Sequence, residues 1–459
     1  MTIDIPAALD ALSTLLGDRL SRSKADLEAH GASESHYPLT PPDAVAYPQD
    51  TAEVAGILKI CNQHGCPVIG WGAGTSLEGG ALATTGGVAV DFSRMASVLE
   101  VRAEDMVARV QPGITREALN TELRATGLFF PVDPGANASI GGMVATRASG
   151  TTAVRYGTMR DNVAALEVVT ASGEVIRTGS AAPKSSSGYD LTSLFVGSEG
   201  TLGLITEVTL RLQGQPEAVS AGVCAFGDIG SAVDAVTEVI LTGIPMARIE
   251  FLDAATVAAV NGYSKADFPE TPHLFVEFHG TPAAVAEQAE RFGEIVTEHG
   301  CSGFDWSTKT EDRTRLWEMR HHAYWAILAS RPGSRAIVTD VCVPVSRLAE
   351  AVAATQADIE AAGLQAPILG HVGDGNYHAI LLLDGSEEER IAAEKVSSAM
   401  VERALEMGGT ATGEHGVGIG KQKYMATEHG PAWDMMSTIK RALDPNGILN
   451  PGKVVPATG

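Results

Sequence analysis

Two histidines bracket a tight turn in the run Gly370-His371-Val372-Gly373-Asp374-Gly375-Asn376-Tyr377-His378, set between the strand-like stretches APILG and AILLL. The Gly-Asp-Gly-Asn turn lets imidazoles on adjacent strands converge. A later run, Thr412-Gly413-Glu414-His415-Gly416-Val417-Gly418, adds a carboxylate and another imidazole. Two imidazoles and one carboxylate suit a divalent transition ion with open positions, so His371, His378 and Glu414 are the expected ligands. Taken singly, each histidine reads more readily as a core or surface residue than as a ligand. The pairing of two glycine-flanked turns is what carries the metal reading. Arg320, in the helical run Leu316-Trp317-Glu318-Met319-Arg320-His321-His322, could grip a carboxylate with both arms of its guanidinium, which lysine does less well. Its plainer reading is a surface ion pair with Glu318 or Asp312. His321 and His322 adjoin on one helix and cannot both face a single site.

Three glycine-bearing blocks precede these residues. The first is Pro67-Val68-Ile69-Gly70-Trp71-Gly72-Ala73-Gly74-Thr75-Ser76. Here backbone amides can approach an anion that a Cβ would hold off. No Lys follows at Walker spacing, and Thr75 to Gly80 is poor helix material for a dinucleotide fingerprint. The second runs Pro131-Val132-Asp133-Pro134-Gly135-Ala136-Asn137-Ala138-Ser139-Ile140-Gly141-Gly142-Met143 and on to Gly150. The third is Gly197-Ser198-Glu199-Gly200-Thr201-Leu202-Gly203-Leu204-Ile205. Each alone reads as tight turns. Together they are expected to expose amides to one extended ligand, for which a diphosphate-containing cofactor is the economical explanation.

The elements that must position these groups follow from spacing. Residues 51–65 read as a helix capped by Thr51 and stopped by Gly65, between short β-rich runs at PVIGWG and VAVDFS. VARVQPG, a helix TREALNTELRATG, a hairpin from Val163 to Thr178 turning at Ser172-Gly173, and the strand TLGLITEVTLRLQ complete an α+β section to about Gln213. Beyond it, VCAF, ARIEFL and LFVEFH alternate with helices near 231–241 and 282–298, the latter with Thr281 as N-cap and Pro282 in the first turn. Two such units suggest an antiparallel sheet with helices on one face. The expected domains are 1–213, 214–417, and a returning segment 418–459.

Composition sets the outer limits. The chain has 459 residues, 33 Lys+Arg against 56 Asp+Glu for a net charge of −23, and 50 glycines. That length exceeds what one core normally serves. The acidity speaks against nucleic acid or an anionic membrane surface as partner. No transmembrane candidate and no basic leader followed by an apolar run occur. Five scattered cysteines without CxxC point to a reducing compartment and against zinc-ribbon or iron–sulfur chemistry. A soluble cytoplasmic enzyme, or one peripheral to a respiratory membrane, is expected.

In order and spacing, GWGAGTSLEGG, DPGANASIGGM, GSEGTLGLITEVTL, HVGDGNYH, TGEHGVG and DPNGILNPGK resemble the vanillyl-alcohol oxidase/p-cresol methylhydroxylase flavoprotein superfamily. The likeness runs from about Ala46 to Val454, and lies within the branch of D-2-hydroxy acid dehydrogenases that act on D-lactate and D-2-hydroxyglutarate. It implies an FAD-binding domain and a substrate (cap) domain with an antiparallel sheet and covering helices. It also implies FAD bound through Gly70, Gly72, Ala73, Gly74, Thr75, Ser76, Pro134, Gly135, Gly141, Gly142, Gly150 and Ile205. Since the first loop holds no histidine, the FAD is expected to be non-covalent.

The resemblance further implies zinc or manganese on His371, His378 and Glu414, with His415 as general base, Asn376 beside the substrate and Arg320 on its carboxylate. The 2-hydroxyglutarate branch carries a Thr one turn after that arginine and a Lys shortly before the aspartate matching Asp340. Here Tyr324 and Val338 or Thr339 stand there, so a small D-2-hydroxy acid such as D-lactate is expected. Its electrons would pass to a separate cytochrome, quinone or electron-transfer flavoprotein. D-2-hydroxyglutarate or glycolate is the alternative within the family. A metal-dependent hydrolase using the same three ligands is the alternative of another class.

Overall fold

The computed structural model describes residues 3–33 and 35–456. Contacts divide the chain into two units. The first comprises 1–149, 157–215 and 414–459, and the second 150–156 and 216–413. The sequence reading cut the chain at 213/214 and 417/418 and kept residues 150–156 with the first domain. That short segment belongs to the second unit because its side chains bond there. Arg155 donates to the Pro245 carbonyl at 2.7 Å, and the Tyr156 hydroxyl meets Nδ1 of His279 at 2.7 Å.

In the first unit β1 (Leu20–Ser21), β2 (Ala44–Ala46), β3 (Val68–Trp71) and β4 (Val88–Asp91) form a sheet in the order β1-β2-β4-β3, with β2, β4 and β3 parallel. Such strands read as short continuous apolar runs because both faces are covered. Here Val68, Val88 and Val90 pack with Val54, Ile57 and Leu58 of the helix Thr51–His64. The expected cap moves by one residue. Asp50 accepts the Glu53 N–H at 2.9 Å, while the Thr51 hydroxyl is drawn away to Glu167 Oε1 at 2.7 Å.

A second sheet is antiparallel. It joins β5 (Val98–Arg102), β6 (Val107–Val110), β8 (Val163–Val169), β9 (Val175–Gly179) and β10 (Leu204–Arg211) in the order β5-β6-β10-β8-β9, with β7 (Leu128–Phe129) and β11 (Gln213–Gly214) paired separately. Helices Arg116–Leu123 and Ile140–Thr146 bury Leu119, Leu123, Ile140, Met143 and Val144 in its core.

The second unit is built on one antiparallel sheet. Its strands are β12 (Ala218–Ala225), β13 (Met246–Leu252), β14 (His273–Gly280), β15 (Phe304–Ser307), β16 (Arg335–Val338), β17 (Val341–Cys342), β18 (Ile368–His371) and β19 (Asn376–Leu383). The order is β15-β12-β14-β13-β18-β19-β16, with β17 also on β19. Helices cover both faces, where one covered face was expected. On β14, Phe278 packs edge-on against Phe292 of the helix Pro282–Glu298, with ring centroids 5.7 Å apart. Phe275, three residues earlier and so on the opposite face, lies with Val257, Val260, Leu316 and Trp317 of other helices. This double coverage matters for the site. Glu250 of β13 and Glu277 of β14 are both buried as a result.

Candidate active site

His371 ends β18 and lies opposite Asn376, which opens β19; two residues on, His378 lies opposite Leu369. The period of two therefore puts Asn376, His378, His371 and Leu369 on one face of the hairpin. The imidazoles meet edge to face, centroids 5.7 Å apart at 83°. Each ring is anchored through Nδ1: His371 donates to Glu250 Oε1 at 2.7 Å, and His378 to the Thr339 carbonyl at 2.9 Å. Donation from Nδ1 fixes the tautomer whose Nε2 lone pair can take a metal, the arrangement that orients metal-binding histidines generally.

Glu250 sits on β13 in the same row, fully buried. Its other oxygen, Oε2, accepts Arg320 Nη2 at 2.6 Å. Arg320 comes from the helix Thr310–His321 and is itself 8% exposed. The expected surface pairing with Glu318 or Asp312 is thus replaced by a buried pair, while Asp312 accepts the Ser307 hydroxyl at 2.8 Å. One arm of the guanidinium is committed to Glu250, and Nε is buried with no protein partner among the described residues.

Asp340, also fully buried, holds the other side of the hairpin. It accepts Asn376 Nδ2 at 2.7 Å and the Thr412 hydroxyl at 2.7 Å, and Asn376 donates as well to the Val341 carbonyl at 2.9 Å. The Asn376 amide is thereby oriented, with Oδ1 buried and unpartnered among the described residues. Gly413 closes against it so tightly that a Cβ would lie 2.1 Å from Asn376 Nδ2. In the sequence Gly413 is followed by Glu414 and His415, which open the last segment of the first unit. As for a metal, Glu250 and Asp340 set two buried carboxylates against the one guanidinium of Arg320. The two anchored imidazoles are the donors that suit a divalent cation, and the two carboxylates, their oxygens already engaged, stand behind them.

A second buried network shares this sheet face. Glu277 of β14 lies opposite Arg248 of β13, 3.6 Å from it, and accepts from His279 Nε2 at 2.8 Å. Burial alone would raise the Glu277 carboxyl, but Arg248 and His279 outweigh it and hold it below the usual range. Arg248 stacks 4.7 Å over the Trp317 ring. Glu250, Glu277 and His279 were not singled out from the sequence. Their signal was a charged residue embedded in an apolar strand, as in ARIEFL and LFVEFH.

In the first unit the glycine blocks come together. A Cβ on Gly72 would lie 2.2 Å from Ser139 Oγ, and one on Gly70 would lie 3.2 Å from Leu204, next to Ile205. Among the described residues no backbone N–H from Gly72 to Ser76 donates to a protein acceptor, so this run is open for an anionic group such as a diphosphate. The second block differs from expectation. The Gly141 N–H goes to the Pro112 carbonyl at 2.7 Å and that of Gly142 to Ser139 Oγ at 3.3 Å. These two glycines allow close backbone packing, and their amides are already used. Pro134 and Gly135 lie in the loop before Ser139, whereas Gly150 opens the segment that belongs to the second unit.

Comparison with known proteins agrees with these features. Residues 42–179 match the FAD binding domain family and residues 215–454 the family described as FAD linked oxidases, C-terminal domain. The chain is 45% identical over 463 residues to "Probable D-lactate dehydrogenase, mitochondrial" of Danio rerio, covering 100% of this chain and 93% of that one. It is 45% identical to "D-lactate dehydrogenase [cytochrome], mitochondrial" of Arabidopsis thaliana, covering 98% and 80%. A glycolate oxidase subunit of Bacillus subtilis is 36% identical, covering 90% and 89%. In fold it is similar to 4-ethylphenol oxidase from Gulosibacter chungangensis (TM-score 0.78, 19% identity, 98% and 97% covered) and to p-cresol methylhydroxylase (TM-score 0.78, 17% identity, 98% and 96% covered). A family defined by FAD removes the hydrolase alternative, in which the glycine loops had no ligand. No described helix is long and apolar enough to cross a membrane. With an FAD binding domain and the matching C-terminal domain in one polypeptide, this chain belongs to the FAD linked oxidases and is an FAD-dependent oxidoreductase of the vanillyl-alcohol oxidase/p-cresol methylhydroxylase fold.

Proposed function

We propose that this protein oxidises D-lactate, or a D-2-hydroxy acid with an equally small apolar tail, to the 2-oxo acid and passes the electrons to a separate acceptor. The observation that carries this reading is the Glu250 carboxylate shared by Arg320 and His371. It ties a guanidinium suited to the substrate carboxylate to an imidazole suited to a metal ligand, at fixed separation. Relatives named D-lactate dehydrogenase support the substrate class.

When bound, FAD would supply the acceptor for the C2 hydride, and a divalent ion would supply positive charge that favours the ionised form of the substrate hydroxyl. The FAD is held without a covalent bond by the loop Gly70 to Ser76, with Pro134, Gly135, Gly141, Gly142, Gly150 and Ile205 lining the rest. His371, His378 and Glu414 would hold zinc or manganese. Arg320 orients the carboxylate, its direction fixed by Glu250. Asn376, oriented by Asp340, stands beside the substrate, and His415 takes the hydroxyl proton as a neutral imidazole. At the positions where a second carboxylate would need a partner, Tyr324 is partly buried and the Thr339 hydroxyl is engaged with Ala379. A longer diacid would leave a charge unpaired. All five cysteines are free, and we assign a reducing compartment, the cytoplasm or the periphery of a respiratory membrane. A cytochrome, quinone or electron-transfer flavoprotein serves as acceptor.

Anaerobic titration with a panel of 2-hydroxy acids tests the reading. D-lactate is expected to bleach the flavin, with L-lactate and D-2-hydroxyglutarate far slower. Comparable kcat/KM for D-2-hydroxyglutarate and D-lactate, or preference for glycolate, would overturn the substrate assignment.

A further inference from the structure

The third glycine block contains a carboxylate with an unusual task. Glu199 is 8% exposed and adopts a left-handed backbone, φ 49°, which costs a residue with a Cβ about 1 kcal/mol or more. Its Oε1 accepts the N–H of Val417 at 2.6 Å and its Oε2 the N–H of Gly418 at 2.9 Å. Two successive amides converging on one carboxyl group form the concave arrangement that otherwise binds a free anion. Here the protein fills it with its own carboxylate.

The clamp is braced on every side within the first unit. The Glu199 N–H goes to the Ala145 carbonyl at 2.9 Å, and its carbonyl accepts Asn450 Nδ2 at 2.8 Å. Asn450 also reaches the Gly80 carbonyl at 2.8 Å, and the buried Lys453 donates to Asn450 Oδ1 at 3.1 Å and to the Leu82 carbonyl at 2.7 Å. The clamped loop is held again beyond the clamp: Ile419 N–H donates to the Glu78 carbonyl at 2.8 Å. Immediately before the clamped amides lie Glu414, His415 and Gly416. Residues that close to a fixed pair of amides have less freedom to vary the direction of their side chains.

We propose that Glu199 is a positioning residue, whose carboxylate holds the amides of Val417 and Gly418 and thereby sets the place of Glu414 and His415. This inference rests on the roles given to those two residues under the proposed function. Conversion of the carboxylate to an amide replaces one acceptor oxygen by an N–H donor facing another N–H, so the loop loses one anchor while the side-chain volume is kept.

The test uses the FAD-loaded full chain and the variants Glu199→Gln and Glu199→Asp; the second keeps the charge but draws it back by one methylene. Three readouts are taken: hydrogen exchange across 414–420, Mn²⁺ affinity measured with the ion alone, and kcat against KM with D-lactate. Expected in both variants is exchange faster by about tenfold or more, Mn²⁺ binding weaker by roughly 10–100-fold, and kcat down by about 100-fold, with KM within threefold. FAD content is expected to stay at the wild-type level. Wild-type exchange in both variants, or faster exchange with Mn²⁺ affinity and kcat within twofold of wild type, would overturn the proposal. If the wild type oxidises no 2-hydroxy acid, the functional reading fails by itself. Exchange and Mn²⁺ affinity then still decide the role of Glu199.

Discussion

Nδ1 of His371 lies 2.7 Å from Oε1 of Glu250, a carboxylate with no solvent exposure whose second oxygen is taken by Arg320. Removing one member of such a buried set leaves the others charged or unpaired, and costs about 3–5 kcal/mol. Glu250→Ala is therefore expected to lose stability of that order in urea unfolding. Glu250→Gln, which keeps the shape, is expected to fold but to bind Zn²⁺ or Mn²⁺ roughly 10–100-fold more weakly. Unchanged metal affinity in Glu250→Gln would remove Glu250 from the metal site.

Arg320→Lys tests the carboxylate grip. A lysine could still meet Glu250 but offers no second planar arm to a substrate carboxylate, so KM for D-lactate is expected to rise about tenfold or more. Steady-state kinetics check this. A change confined to kcat would argue that Arg320 acts on the reacting centre alone.

Gly72→Ala places a methyl 2.2 Å from Ser139 Oγ, the group that caps the helix Ile140–Thr146. Displacing that cap costs about 0.5–2 kcal/mol and shifts the open amides of the first loop. The flavin-to-protein absorbance ratio of the purified variant is expected to fall well below that of the wild type.

The FAD should leave intact when the protein is precipitated with acid or boiled. Colour retained in the washed pellet would show a covalent tether and contradict the reading of the first loop. His30, the imidazole beside Trp71, is already committed, with Nε2 on Asp91 Oδ2 at 2.8 Å and Nδ1 on the Asp26 carbonyl at 2.8 Å.

Burial pushes Glu199 up from 4.5 to about 7, against the pull of the Val417 and Gly418 amides. Between these two values the unfolded chain has released the proton and the folded chain keeps it. Stability therefore falls as pH rises through that window, by about 3 kcal/mol in all at 1.36 kcal/mol per unit. Asp253, raised by burial to about 6, acts in the same direction. Chemical denaturation at pH 5 and pH 8 is expected to show lower stability at pH 8. In Glu199→Gln the difference between the two pH values should shrink by most of that amount. An unchanged difference would show that Glu199 does not titrate in this range.

What could be read in the sequence, and what could not, divides along separation in the chain. The hairpin that aligns His371 with His378, the Thr281 cap and the hairpin turn at Gly173 are local, and their spacing alone determines them. Glu250 is 70 residues from Arg320 and 121 from His371, so nothing near it marks it as their anchor. In ARIEFL it alternates with apolar neighbours, as an outward charge on a half-covered strand would. Only the helices on both faces of the sheet turn it into a buried anion. The cap of the helix Thr51–His64 was misplaced for a similar reason. Thr51 has the right chemistry, but Glu167, 116 residues on, competes for its hydroxyl. The glycine blocks were legible as close-packed turns. Which of their amides stay open depended on the distant carbonyl of Pro112.

Residues 448–450 extend the parallel sheet of the first unit: Val68 N–H donates to the Ile448 carbonyl at 2.8 Å, and Asn450 N–H donates back to the Val68 carbonyl at 2.8 Å. On the ribosome, then, the strand Val68–Trp71 can pair with β4 early, but its other edge waits for residues 448–450 through some 380 residues of further synthesis, while the intervening 216–413 are free to fold first. The order of maturation is inverted: the later-made unit can close before the earlier-made one. A nascent chain stalled before residue 448 would expose that edge of the parallel sheet, which makes the segment 448–450 a checkpoint on the first unit.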